Sequence, residues 1–399
     1  MRILLIHDFY QQFGGEDAAV LADKTLLESH GQEVVLYTRE NSEIRDFTLF
    51  DKLTLPAQAI YSWRTRQDLA KIIKQRRPDV AYVHNFLPLI SPSVYHLLYS
   101  LHVPIIQVIH DFRFFCPNGW FFTQGQVCER CKGGNYLNAV RFRCYRDSYL
   151  SSAIVASSIG LNRLGGMLEK IDAFVCLTNF LKQKLLEAGI RQEKIFVKPN
   201  FIDASQITPA YGQGEYAIFL GRLSREKGIW TLIRAFQQLK GISLKIVGTG
   251  PMEAELRRFL IENDVTNVEI VGFKSGKEKW QLLAKSMFVV LPSEWYETFG
   301  LVILEAYAVG KPVLASRMGS LPHVVREGKS GLLFAAGESK DLAEKIGHMS
   351  NNPEEREAMG RYGRTLVETE YGPRKNYELL MEICERIGRG NDAGCANIC

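Results

Sequence analysis

Short apolar runs alternate with amphipathic stretches along the whole chain. Residues 2–6 (Arg-Ile-Leu-Leu-Ile) form a buried-strand pattern, and residues 15–30 read as a helix with Ala19, Ala22 and Leu26 on one face and Gly31 as its stop. Further strands are expected at 34–37, 80–83, 104–109, 173–177 and 195–198. The second half repeats the theme: strands at 216–220, 244–247, 268–271, 288–291 and 313–316, with helices at 228–239, 252–262 and 298–309. Strands that are apolar throughout and separated by helices predict parallel sheets covered on both faces, so the fold class is α/β with two Rossmann-like, doubly wound domains. Residues 200–214 follow Pro199, contain Pro209, Gly212 and Gly214, and have no period, which marks the join. The expected domains are 1–200 and 201–372, followed by a last long helix at 373–388 and a flexible tail at 389–399.

A chain of 399 residues exceeds one ordinary core, in keeping with two domains. The net charge of +5 is too small to argue for nucleic acid; it suits an anionic substrate such as a diphosphate, or an anionic membrane face. No apolar run reaches the ~18 residues that span a bilayer. The opening run is too short for a signal peptide, so a cytoplasmic location is expected, with contact at the inner membrane face as the further option. The basic stretch 61–77 has Arg64, Arg66, Lys71, Lys74, Arg76 and Arg77 against only Asp68. It reads as a solvated helix in preference to a peripheral lipid contact.

Open α/β sheets bind ligands beyond the carboxyl ends of their strands, so candidate chemistry is sought there. After the first strand, Gly14-Gly15 precedes a helix, a turn that lets backbone approach a phosphate or merely turns. After strand 216–220 come Arg222 and Lys227, which either hold a diphosphate or are two solvated cations. Gly248-Thr249-Gly250 follows the next strand. The most specific segment runs from Ser293 to Ala306 and contains Glu297, Phe299-Gly300-Leu301 and Glu305. Its glycine turn offers free N–H groups, and its two acids can accept hydrogen bonds from sugar and ribose hydroxyls.

These motifs together resemble the family 4 glycosyltransferases of the GT-B fold (group 1 glycosyltransferases). Lys311-Pro312-Val313 and Gly319-Ser320-Leu321-Pro322 add to the likeness, which is strongest from Gly221 to Phe334. The resemblance implies two domains facing a cleft, with the final helix crossing back to the first. It implies that Arg222 and Lys227 grip the donor diphosphate, that Glu305 binds the ribose, and that Glu297 faces the transferred sugar. Phe299, Gly300 and Leu301 contact sugar and phosphate through their backbone. His110 is similar to the acceptor-side histidine of the family and Asn200 to a cleft-facing asparagine; Gly14, Gly15 and Gly250 complete the substrate-binding set. The implied function is retaining transfer from a nucleotide-diphosphate sugar to a hydroxyl of a glycan or lipid-linked saccharide. No Asp-x-Asp pair is present, so no cofactor is expected for catalysis. Replacing Arg222 or Lys227 by alanine is expected to cripple transfer with little effect on folding. The rival readings are a nucleotide-sugar 2-epimerase of the same architecture and a non-catalytic nucleotide-sugar binding protein.

The chain has eight cysteines. Cys176 reads as a buried inert thiol, and Cys395 and Cys399 fall in the tail. Cys116, Cys128, Cys131 and Cys144 lie in a stretch after Asp111 that is rich in glycine and aromatics. Their spacing, with one Cys-x-x-Cys, suits a closed structural zinc site; an iron–sulfur cluster or four ordinary thiols are the alternatives.

Overall fold

A computed structural model describes residues 1–11, 14–212 and 214–395, with side chains described as far as residue 388. The two tail cysteines, Cys395 and Cys399, therefore lie outside the described side chains. The chain divides into two compact units: Met1–Thr123, Cys128–Pro199 and Asn376–Cys399 form one, and Gln124–Val127 with Asn200–Lys375 the other.

In chain order the first unit contains β1 (Arg2–Phe9), α1 (Gly15–Ser29), β2 (Glu33–Glu40), α2 (Leu49–Ile60), α3 (Trp63–Arg76), β3 (Val80–Val83), α4 (Ser93–Ser100) and β4 (Ile105–Ile109). A short hairpin follows, β5 (Phe122–Thr123) and β6 (Gln126–Val127, counted with the second unit), then α5 (Leu137–Arg141), α6 (Tyr149–Leu164), β7 (Ala173–Cys176), α7 (Asn179–Glu187) and β8 (Ile195–Val197). The six long strands pair in the order β2-β1-β3-β4-β7-β8 and all pairs are parallel. The inner strands β3, β4 and β7 are buried at every position, as expected for strands covered on two faces. The edge strand β2 is mostly open and carries Glu33, Arg39 and Glu40, charges that blunt an edge.

The second unit repeats the plan: β9 (Tyr216–Leu220), α8 (Ile229–Gln237), β10 (Leu244–Val247), α9 (Glu253–Glu262), β11 (Val268–Gly272), α10 (Gly276–Lys285), β12 (Ser286–Leu291), α11 (Leu301–Ala308), β13 (Val313–Ser316), α12 (Leu321–Val324) and β14 (Gly331–Phe334), then α13 (Ser339–Asn351) and α14 (Pro353–Thr369). Its order is β11-β10-β9-β12-β13-β14, again parallel. Phe219, Ile246, Phe288 and Val290 from the sheet pack with Ile233 and Phe236 of α8 in one core.

The last helix, α15 (Pro373–Cys395), enters the first unit with Asn376. Asn376 Nδ2 donates to Pro199 O at 2.6 Å, Gln32 Nε2 donates to the Tyr377 hydroxyl at 2.7 Å, and the Tyr377 ring stacks on His30 at 3.9 Å.

In each sheet the strand order reverses once, between β1 and β3 and between β9 and β12. A crevice opens beyond the carboxyl ends of such strand pairs because the two connections leave in opposite directions. The candidate residues collect around these two places.

Candidate functional site

In the second unit the reversal lies between the segments that leave β9 and β12. Arg222 and Lys227 leave β9; Ser293, Glu297 and Phe299 leave β12. Lys227 Nζ donates to Glu297 Oε1 at 2.5 Å, Ser293 Oγ donates to the same oxygen at 2.8 Å, and the Lys227 ammonium lies 4.9 Å from the centre of the Trp295 ring. Glu297 is buried. Burial alone would raise its pKa, but the Lys227 charge and the hydrogen bonds from Lys227 and Ser293 outweigh it, and the carboxyl titrates below its ordinary value. The structure thus corrects one expectation: Lys227 is not a free surface cation, and its loss would strand a buried carboxylate. Arg222, by contrast, is exposed and forms no ion pair among the described residues.

The helix expected at 298–309 starts at Leu301, because Gly300 takes φ +84°, the left-handed region, and caps it. Thr298 and Phe299 therefore stay in the loop. The Phe299 ring is buried against Tyr371, edge to face at 6.0 Å. Leu301 opens α11, where the first N–H groups have no acceptor inside the helix. Glu305 lies one turn further on, bonded to Lys279 Nζ of α10 at 2.8 Å. Gly250, after β10, lies so close to Leu223 that a β-carbon there would meet Leu223 O at 2.4 Å. Asn200 is buried at the first residue of this stretch of the unit.

His110, Gly14 and Gly15 belong to the first unit. Gly14 caps α1, its N–H donating to Asp17 Oδ2 at 2.8 Å, and Gly15 is exposed. His110 follows β4 and lines a pocket with Glu16, His84, Asn85, Asp111 and Arg113. Its Nε2 is 2.9 Å from Nδ1 of His84, and the two rings stack at 5.1 Å. His84 Nε2 lies 3.8 Å from Asp23 Oδ2, an oxygen that also accepts from the Tyr82 hydroxyl at 3.0 Å, while Lys198 Nζ bonds Asp23 Oδ1 at 3.3 Å. Burial first, then the nearby His7 and Lys198, pushes His110 down to about 3; His84 is lowered well below its ordinary value by burial and by His110. Both rings are neutral at pH 7. If the His84 proton sits on Nε2, on the side of the Asp23 carboxylate 3.8 Å away, His84 Nδ1 accepts from His110 Nε2–H. The other nitrogen of His110 is then a bare acceptor for a ligand hydroxyl. The order β1-β3-β4 brings His84 and His110 together; their sequence separation hides the pairing.

Two acids belong to this region, the buried Asp8 and the half-buried Glu16 of the pocket lining. Burial pushes Asp8 up to about 7, with Leu89 N donating to its Oδ2 at 2.8 Å. Burial and then the Asp111 carboxylate push Glu16 up to about 8, although the Tyr10 hydroxyl donates to it at 2.9 Å. Asp8 is marked by no sequence pattern beyond its place at the end of β1, and Glu16 by none beyond its place in the first turn of α1.

Cys116, Cys128, Cys131 and Cys144 line one pocket, with Phe122, Ala139 and Phe142 among its apolar walls. Cys116 Sγ donates to Asn118 Oδ1 at 2.9 Å and Cys144 Sγ to Thr123 Oγ1 at 3.5 Å. Burial raises the Cys116 thiol to about 12 and the Cys131 thiol to about 11. Among the described residues, no three His, Cys, Asp or Glu side chains are disposed to hold a metal ion. The four thiols that the spacing singles out nevertheless line this one pocket. Cys176 is buried in β7, where burial holds its thiol well above the ordinary range.

Residues 200–366 match the family model described as glycosyl transferases group 1, and residues 24–206 match that of glycosyltransferase family 4. The chain is 31% identical over 219 residues to an uncharacterised glycosyltransferase of Methanocaldococcus jannaschii, covering 53% of this chain and 60% of that one. It is 28% identical over 225 residues to an amylovoran biosynthesis glycosyltransferase of Erwinia amylovora, covering 53% and 55%. These alignments span about half to three fifths of the relatives. Among solved structures, Anabaena HepE in complex with UDP superposes with a TM-score of 0.68 at 19% identity, covering 97% of this chain and 100% of that one. Sucrose-phosphate synthase of Thermosynechococcus elongatus gives 0.68 at 19% identity, covering 99% of each.

Proposed function

Because the chain belongs to the group 1, family 4 glycosyltransferases and has their GT-B fold, we propose that it transfers a sugar, with retention, from a nucleoside-diphosphate sugar to a hydroxyl of a glycan or lipid-linked saccharide. The observation that carries this reading is the Lys227–Glu297 pair at the strand-order reversal of the second unit. Holding a buried carboxylate against a half-buried ammonium carries a desolvation cost. Here a diphosphate would draw the ammonium, and the released carboxylate would receive a sugar hydroxyl. Arg222 and the open N–H groups of α11 supply further positive potential to the leaving diphosphate. No divalent cation is needed for that charge in this reading. Glu305 receives the ribose hydroxyls. HepE, a structural neighbour, is itself in complex with UDP, which fits a nucleoside diphosphate as the donor fragment.

On the first unit, the free nitrogen of neutral His110 accepts the hydrogen bond of the incoming hydroxyl and orients it. The departing phosphate oxygen takes the proton, so no protein nucleophile is required. Proton NMR of the product linkage tests the reading: the anomeric configuration of the donor should persist. An inverted linkage rejects the mechanism, and isomerised nucleotide sugar formed without any acceptor would favour an epimerase instead.

A further inference from the structure

Among the described residues the exposed large hydrophobic side chains fall in the first unit, apart from Ile261, Phe273 and Tyr362. They concentrate on two neighbouring helices. Helix α2 exposes Leu49, Leu53 and Ala57, spaced four residues apart, with Phe50 beside them at 73% exposure; only Ala59 is buried. An isolated surface helix turns its apolar stripe inward. Here that stripe faces out, while the C-terminal end of α2 is pinned to α6. Ser158 Oγ donates to Ala59 O at 2.7 Å and Asn162 Nδ2 to Ile60 O at 2.9 Å. Helix α6 does the same: Leu150, Ser157, Leu161 and Leu164 lie on one face and are exposed, Leu164 at 88%. Its sixteen residues include a single charge, Arg163.

Cations border this surface in sequence. The segment just before α6 carries Arg141, Arg143 and Arg146 against Asp147, with Arg143 5.6 Å from the exposed Tyr149 ring. Only Tyr61 and Ser62 separate α2 from α3. That helix and its cap hold Arg64, Arg66, Lys71, Lys74, Arg76 and Arg77 against Asp68. This one stretch has a net charge of +5, as much as the whole chain. Exposed apolar stripes flanked in sequence by arginine-rich segments, on helices too short and too polar to cross a bilayer, match the chemistry of a membrane interface. The sequence reading placed the solvated helix at 61–77; the apolar half of the surface is visible only in the structure.

We propose that the α2–α6 face seats the first unit on an anionic membrane surface, with Phe50, Leu53, Leu161 and Leu164 entering the headgroup layer and the neighbouring arginines meeting lipid phosphates. This does not rest on the donor reading, since none of these residues lies at either strand-order reversal. The test is flotation of the full chain with vesicles of phosphatidylglycerol and phosphatidylcholine. Wild-type protein should bind the anionic vesicles at 50 mM salt, bind pure phosphatidylcholine at least tenfold less, and lose most binding at 500 mM salt. Phe50→Ser with Leu53→Ser, and separately Leu161→Ser with Leu164→Ser, should each reduce partitioning roughly tenfold or more. Because those side chains are exposed, melting temperature and donor hydrolysis in vesicle-free solution should not change. Failure of wild type to float, or serine variants that float like wild type, overturns the proposal. So does a wild-type dimer in sedimentation velocity that the same substitutions dissociate, because the face would then be covered by a second copy.

Discussion

Replacing Lys227 by methionine keeps the length of the side chain and removes its charge. Glu297 would be left buried, with Ser293 Oγ still donating to it but without its cation. Removing one member of a buried pair costs about 3–5 kcal/mol, and the partial exposure of Lys227 argues for the lower end, about 3. For a unit of this size that is a fall of roughly 6–12 °C in melting temperature at pH 8. The pH dependence gives the sharper check. In the wild type the Glu297 carboxyl titrates below its ordinary value of 4.5, so it contributes stability above that pH and loses it as pH falls through the folded pKa. Without Lys227, burial is opposed far less and the carboxyl moves up. Stability is then lost as pH rises through the raised value. The gap between wild type and Lys227→Met should therefore be widest at pH 8 and shrink toward pH 4.5. Adding Glu297→Gln should recover most of the loss at pH 8, since a neutral amide can still accept from Ser293. Differential scanning calorimetry at the two pH values measures this. An equal gap at both, or no rescue by the glutamine, refutes the account of how Glu297 is held.

Arg222→Ala should slow transfer roughly a hundredfold through loss of ~3–4 kcal/mol of transition-state stabilisation, with an unchanged melting temperature because the side chain is exposed; steady-state kinetics beside a thermal melt decide it. Glu305→Ala should raise the Michaelis constant for the donor by the equivalent of ~1.5–3 kcal/mol while turnover of the bound complex changes little, and a collapsed turnover at unchanged donor affinity would contradict the ribose role. Asp8, raised to about 7 by burial, costs the fold stability progressively as pH rises from its ordinary value of 3.8 to about 7, and the full cost is present above that. Asp8→Asn should thus be more stable than wild type by roughly 2–4 kcal/mol at pH 8, the advantage vanishing below pH 4; urea unfolding at both pH values is the measurement.

The strands were the most legible part of the sequence, and for a physical reason. Residues 80–83, 216–220, 244–247 and 313–316 coincide with β3, β9, β10 and β13, because a strand buried on both faces must be apolar at nearly every position. Helices α2 and α6 escaped notice for the opposite reason: their exposed faces are apolar, so the contrast that marks an amphipathic helix is missing. The start of α11 was placed three residues early, since the left-handed turn at Gly300 belongs to the backbone and leaves no periodic trace. Of the candidate site, Arg222 and Lys227 were singled out by the rule that strand ends carry ligands, Glu297 by the segment from Ser293 to Ala306, and His110 by its likeness to the family's acceptor-side histidine. Their partners were not. His84 reaches His110 through the β3–β4 pairing, and Lys279 reaches Glu305 from another helix, so neither contact has a local signature. The cysteine spacing fixed a shared pocket but not the direction in which each thiol turns.

The discontinuity of the first unit bears on the order in which the molecule is made. Its final helix supplies Asn376 to Pro199 and Tyr377 to Gln32 and His30. These contacts join residues synthesised before the second unit to residues synthesised after it. On the ribosome, the strands of the second unit emerge whole and in sequence while the first still lacks its closing helix. The N-terminal half of the nascent chain must wait, incomplete, through the synthesis of the entire second sheet, so the part translated first is the part finished last.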